Sequence, residues 1–187
     1  MKTLVQSALA AALTYPDDGA TQGAIHQNRS KNFVESLAAR LRERHAEAGD
    51  ISVFSKYYVG NRKLHGLNEL MYDVAVCETR RVSSSTGRTD LTYVSSLVVA
   101  IESEMAKDSR QALCDFSKLV MGNARTNLFV GPQVADESSY LDALGPAADC
   151  CLGETFVALI PHPAQWQNDE KTDVRLWRRV PQKWMRA

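Results

Sequence analysis

The sequence predicts an α/β fold: a mixed sheet whose first three strands form an antiparallel meander, with helices on both faces. Three observations predict it. The elements read in the order helix, three strands, helix, strand, helix, strand. Phe33, Val34, Leu37, Ala38 and Leu41 recur at helical spacing and make one apolar stripe. The five aliphatic residues from Leu97 to Ile101 lack polar alternation, as a strand buried on both faces requires.

Taken in order, the first ~14 residues favour an amphipathic helix, and "YPDDGATQG" breaks it with Pro, Asp and Gly. The start, with its Lys and apolar residues, has some character of a signal peptide, but Gln6 and Ser7 interrupt the run and no clean cleavage site follows. Ser30 can cap a second helix, "KNFVESLAARLRERHAEA", which Gly49 would end. Strand-like segments begin at Ile51 ("ISVFSKYYVG"), Leu67 ("LNELMYDVAVCE") and Leu91 ("LTYVSSLVVAIESE"), with "NRKLH" and "TRRVSSSTGRTD" as polar hairpin linkers. Asp108 caps the helix "SRQALCDFSKLVMG", whose inward residues are Ala112, Leu113, Phe116, Leu119 and Val120, and Gly122 stops it. A strand "TNLFVG", a helix from roughly Asp136 to Ala148 and a strand "ETFVALIPH" complete a core over residues 30–161 of a single domain. Residues 162–187 form a basic, aromatic C-terminal extension.

The 187 residues, 44% hydrophobic and 24% charged, have the composition of a soluble globular domain. Lys plus Arg and Asp plus Glu both number 22, so no overall basic field announces a nucleic-acid partner. Cys77, Cys114, Cys150 and Cys151 make no spaced disulfide framework, and reduced thiols in the cytoplasm are the simpler expectation. No apolar run approaches the ~20 residues that span a bilayer, so no membrane partner is expected. His26, His45, His65 and His162 have no zinc-ligand spacing, and neither a G-x-S-x-G elbow nor a phosphate-binding GxxxxGK[ST] loop occurs.

The informative residues are acids set in apolar strands. Glu102 and Glu104 follow directly on the Leu97–Ile101 run, and residues two apart project from one strand face. Asp73 lies within the apolar segment "NELMYDVAVCE", where a regular strand would align it with Glu69, Met71 and Ala75. If these two strands pair, an Asp and two Glu side chains converge. Converging buried carboxylates must be protonated, paired with cations, or wrapped around a metal. Oxygen-only ligands suit Mg²⁺ or Mn²⁺, and such a site fits phosphodiester hydrolysis. In the plainer reading each acid pairs with an Arg and stabilises a sheet end.

Asp73, "ESE" at 102 to 104 and the following helix with "DFSKL", in this order of elements over roughly Ser30 to Pro161, resemble the PD-(D/E)XK nuclease superfamily. The resemblance implies a restriction endonuclease-like core in which Asp73, Glu102 and Glu104 hold metal and the backbone carbonyl of Ser103 assists. Tyr72 replaces the usual Pro, and Glu104 stands where the Lys belongs. Some members carry that Lys on the next helix. Lys118 fits such a move: it is about 15 Å up its helix from Asp108, while Glu102 is about 16 Å back down the strand. Gln111, Asp115 and Lys118 share one polar helix face, and Lys107, at the turn, is the weaker candidate. Glu35 matches a position where many members place an auxiliary acid.

The implied function is metal-dependent hydrolysis of nucleic acid, DNA ahead of RNA; the alternative is a non-catalytic binding or partner protein that retains the fold. Arg178, Arg179 and Lys183, with Trp177 and Trp184, are candidate nucleic-acid contacts in "VRLWRRVPQKWMRA". The same segment reads equally as a last strand with solvated charges or as an oligomer contact, which leaves a homodimer open. The loop "RRVSSSTGR" is a further candidate for backbone contacts.

Overall fold

A computed structural model describes residues 1–16, 21–84, 90–166 and 173–187. Seven strands form one mixed sheet in sequence order: β1 (Ile51–Ser55), β2 (Val74–Ser83), β3 (Asp90–Ser103), β4 (Ala124–Pro132), β5 (Glu154–Ile160), β6 (Arg175–Val180) and β7 (Lys183–Arg186). The β1–β2, β2–β3, β5–β6 and β6–β7 pairs are antiparallel, whereas β3, β4 and β5 run parallel. The parallel pairs are joined through helices, α4 (Ser109–Met121) between β3 and β4 and α5 (Glu137–Ala148) between β4 and β5.

Period-two alternation in the central strands divides the interior into two layers. Val74, Val76, Val99, Ile101, Leu128 and Val130 face α1 (Lys2–Ala12) and α2 (Gln22–Arg44). Ala75, Cys77, Ala100, Phe129, Val157 and Leu159 face α4 and α5. Both sheet faces are therefore covered, as a parallel centre requires. The alternation carries Glu102 onto the α4 side, two residues beyond Ala100.

Several boundaries differ from those expected. The second helix starts at Gln22, not after Ser30, because the Thr21 hydroxyl accepts a hydrogen bond from the Ala24 N–H at 3.2 Å and nothing downstream breaks the helix. It ends at Arg44, ahead of Gly49. "NRKLH" is not a hairpin linker: all of it lies in a short helix, α3 (Gly60–His65), closed by left-handed Gly66, and Asn61 fastens it by donating to the Val53 carbonyl at 2.7 Å. The strand expected from Leu67 begins only at Val74, so Asp73 sits in the bend before β2 and shares no regular strand face with Glu69. Leu113 is partly exposed instead of facing inward. The C-terminal segment is no appended extension, since β6 and β7 are integral to the sheet. Much of "YPDDGATQG" and of "RRVSSSTGR" lies outside the described residues.

Two glycines allow close approaches. A Cβ on Gly122, just past α4, would lie 2.0 Å from the Tyr72 hydroxyl, so its bare backbone makes room for the ring that anchors the chain one residue before Asp73. Gly153, between α5 and β5, has a φ of 80°, and a Cβ there would fall 2.4 Å from the Arg125 carbonyl oxygen. Both the dihedral and the backbone clash oppose any other residue. Gly153→Ala is expected to destabilise the domain by roughly 2–4 kcal/mol, read from chemical denaturation; an unchanged midpoint would show that this turn is not constrained.

Candidate active site

The site is assembled where β3 emerges from the core. Val74 pairs with Ile101, so the bend before β2 lies beside the end of β3. There Asp73 Oδ2 accepts the Ser103 backbone N–H at 2.9 Å, tying the two segments together. Asp108 caps α4 by accepting the Arg110 N–H at 3.0 Å, which starts the helix at the turn and lets it run back along the sheet. Lys118 is thereby brought level with Glu102, its Nζ 3.0 Å from Glu102 Oε2 and 2.8 Å from Asp115 Oδ1.

Burial governs the electrostatics. Glu102 is only 1% exposed; desolvation, reinforced by the Asp73 charge and opposed by Lys118, pushes its carboxyl up to about 7. Desolvation also raises Asp73, against the Ser103 N–H and the Lys118 charge. Glu104 rises through burial and through a hydrogen bond with Asp115, although it accepts the Ala106 N–H at 2.6 Å. Burial opposes the charge of Lys118, but its bonds to Asp115 and Glu102 outweigh that and hold it above the ordinary lysine range. The result is a linked chain from Glu104 through Asp115 and Lys118 to Glu102.

Glu102 Oε1 is buried and has no hydrogen-bond partner among the described residues. A buried carboxylate oxygen without a donor is costly unless it is protonated or meets a cation. With Asp73 beside it, the donor set is all oxygen and fits a hard divalent cation, for which one or two carboxylates suffice when water and substrate fill the other positions. Among the described residues no three His, Cys, Asp or Glu side chains gather as a ready-made cage. Asp73 and Glu102 are the pair that fits Mg²⁺ or Mn²⁺. Glu104 is engaged with Ala106 and Asp115.

Asp73, Ser103 and Glu104 line a cleft of about 620 Å³, with Glu102 closed off from solvent next to Ser103. Its other walls bring residues that sequence reasoning did not assign: Lys56 and Tyr57 after β1, Lys31 and His26 from α2, and His162 after β5. Lys56 is close enough to Asp73 to favour its charge. The Tyr140 hydroxyl, buried and without a hydrogen-bond partner among the described residues, lies near enough to Glu104 to be raised by it after burial. Only its place at the start of an amphipathic helix marks Tyr140 in the sequence.

Other candidates lie elsewhere. Glu35 is on α2, near Arg42, and does not line the cleft. Arg178 forms an ion pair with Glu154 and Arg179 a two-pronged one with Asp149, at 2.6 and 2.8 Å. Arg178 pairs with Phe156, in the row that continues through Leu128 to Ile101, so it is three strands from the acids. Lys183 is exposed on the edge strand β7. Lys107 is near His162 and lines a neighbouring hollow with Gln133. All four cysteines are free thiols. Among the described residues no helix is long and apolar enough to cross a membrane.

No protein family, curated protein or solved structure matches the chain.

Because the folded state raises Glu102, folding takes up a proton between the ordinary glutamate range and about pH 7. Stability from this group is fully present below that range and is lost as pH rises to about 7, a change on the order of 3 kcal/mol. Asp73 and Glu104 act in the same direction. Metal-free protein should therefore melt at a lower temperature at pH 8 than at pH 5, and Glu102→Gln should flatten the dependence and raise the pH 8 midpoint. A wild-type midpoint that is level or rises over this interval would contradict the assignment.

Proposed function

We propose that this chain is a metal-dependent nuclease of PD-(D/E)XK type, hydrolysing phosphodiester bonds with Mg²⁺ or Mn²⁺ held by Asp73 and Glu102. The observation that carries the reading is the buried Oε1 of Glu102, without a hydrogen-bond partner among the described residues, on a carboxylate beside Asp73 whose other oxygen is paired with Lys118. The fold supports it: three antiparallel strands lead into a parallel β3–β4 pair, and the acids stand at the carboxyl end of β3, which is where open α/β sheets place ligands. The finer reading, a restriction endonuclease-like core, rests on this order together with the Asp73 and "ESE" positions.

A cation bound there supplies a water of lowered pKa and offsets charge growing on the phosphate. The chain's own residues do the rest. Asp73 and Glu102 set the negative charge that selects the cation, and the Ser103 N–H holds the Asp73 carboxylate in one orientation. Lys118, protonated at neutral pH, is no proton acceptor; it adds positive charge beside the carboxylates, suited to a phosphate oxygen or an attacking water. It substitutes electrostatically for the Lys missing at position 104. Glu104, through Asp115, keeps Lys118 in place.

Calorimetric titration with Mn²⁺ tests this. Wild type is expected to bind saturably, with Asp73→Asn and Glu102→Gln losing binding while remaining folded. Lys118→Gln should retain Mn²⁺, since it removes a competitor for Glu102, yet cut cleavage of a mixed oligonucleotide pool at least about 100-fold. No binding at millimolar Mn²⁺, with or without oligonucleotide, would sink the nuclease reading and favour a non-catalytic partner protein.

A further inference from the structure

The cleft beside the acids carries an aromatic ring and cations that the hydrolytic site does not need. Tyr57 is 39% exposed and lies at the end of β1, on the same cleft as Asp73. Lys31 Nζ is 4.8 Å and Lys56 Nζ 5.9 Å from its ring centroid. Neighbouring Tyr58 differs: the Arg42 guanidinium covers its ring at 3.9 Å, and it does not line the cleft. Lys31 and Lys56 form no ion pair among the described residues, whereas Arg175, Arg178 and Arg179 of β6 all do. Two cations without an ion pair among the described residues thus flank the Tyr57 ring on the cleft, whereas the β6 arginines are already engaged.

The cleft, at about 620 Å³, has the size of a small-ligand pocket, and helix α2 and the turn Pro163–Gln165 wall it. The faces of a base inside a duplex are covered by its stacked neighbours, so the exposed Tyr57 ring on this cleft can stack only on a base outside the stack. Also lining the cleft, His26 and His162 meet edge to face at 5.9 Å. His162 Nδ1 accepts the Ala164 N–H at 3.1 Å, which leaves Nε2–H of the neutral ring as a donor.

Building on the nuclease reading, we infer that the cleft receives an unpaired nucleotide of the substrate strand, its base on Tyr57 and the flanking phosphates on Lys31 and Lys56. The substrate is then single-stranded nucleic acid, or a locally opened segment, in place of an intact duplex. The lysines that now sit against the ring would move to the phosphates as the base takes its face.

The test is fluorescence anisotropy with the full chain in EDTA, where no turnover occurs, using labelled 12-residue oligonucleotides: unpaired DNA, unpaired RNA and the matching DNA duplex. At least one unpaired strand is expected to bind 10-fold or more tightly than the duplex. Tyr57→Ala should weaken that binding roughly 10-fold or more while Tyr57→Phe preserves it. Lys31→Gln and Lys56→Gln should each reduce the salt slope by about 0.7. Duplex binding as tight as single-strand binding, an unaffected Tyr57→Ala variant, or no binding of any oligonucleotide would overturn the inference. Mn²⁺ titration and duplex cleavage, measured on the same Tyr57→Ala protein, separate the two failures: normal metal binding with normal duplex cleavage leaves the nuclease standing and removes only the unpaired nucleotide.

Discussion

Glu102 places a carboxylate at the end of a core strand, where burial opposes its charge and one oxygen finds no donor. An unpaired charge there would be too costly to keep, so the surroundings must supply positive charge, a proton or a cation. Much of the nearby architecture answers that requirement. The cap at Asp108 and the length of α4 deliver Lys118, and Asp115 on the preceding helical turn holds the ammonium between two acids. Tyr72, seated against Gly122, fixes the chain just before Asp73.

These parts couple fold to chemistry through the sheet. Strand alternation sends Ala100 and Glu102 to the α4 side, and the parallel step to β4 requires a crossover helix on a sheet face. The same helix that covers Ala100 therefore carries the counter-charge for Glu102. Raised carboxyls beside a lysine held in its charged form are an arrangement that costs stability as pH rises and that suits a site built to take up positive charge. Cleft residues from α2, the end of β1 and the turn after β5 lie around it, so the groups that line it come from elements far apart in the chain.

What the sequence made legible was local and periodic. The unalternating run before Glu102 marks a strand buried on both sides, and the rise per residue in strand and helix places Lys118 level with Glu102, where it forms the ion pair. Less was legible where two local signals compete. Ser30 and Thr21 both have capping chemistry, but the longer helix wins because its interior tolerates a serine. Asp73 reads as part of a strand, yet the chain bends there to reach the Ser103 amide. Tertiary pairing was opaque. The arginines of β6 look like a free basic patch until their partners Glu137, Asp149 and Glu154 are brought in from 24 to 38 residues away. His26 and His162 carry no motif and meet only through folding.

The proposed nuclease chemistry requires a divalent cation at the end of β3 between Asp73 and Glu102, with Lys118 beside it. Anomalous diffraction at the manganese absorption edge from crystals soaked in MnCl₂ tests it most directly. One strong peak within coordination distance of both carboxylates is expected, accompanied by a change in the Lys118–Glu102 contact. Crystals that show manganese only at other sites, with Glu102 still held by Lys118 alone, would contradict it.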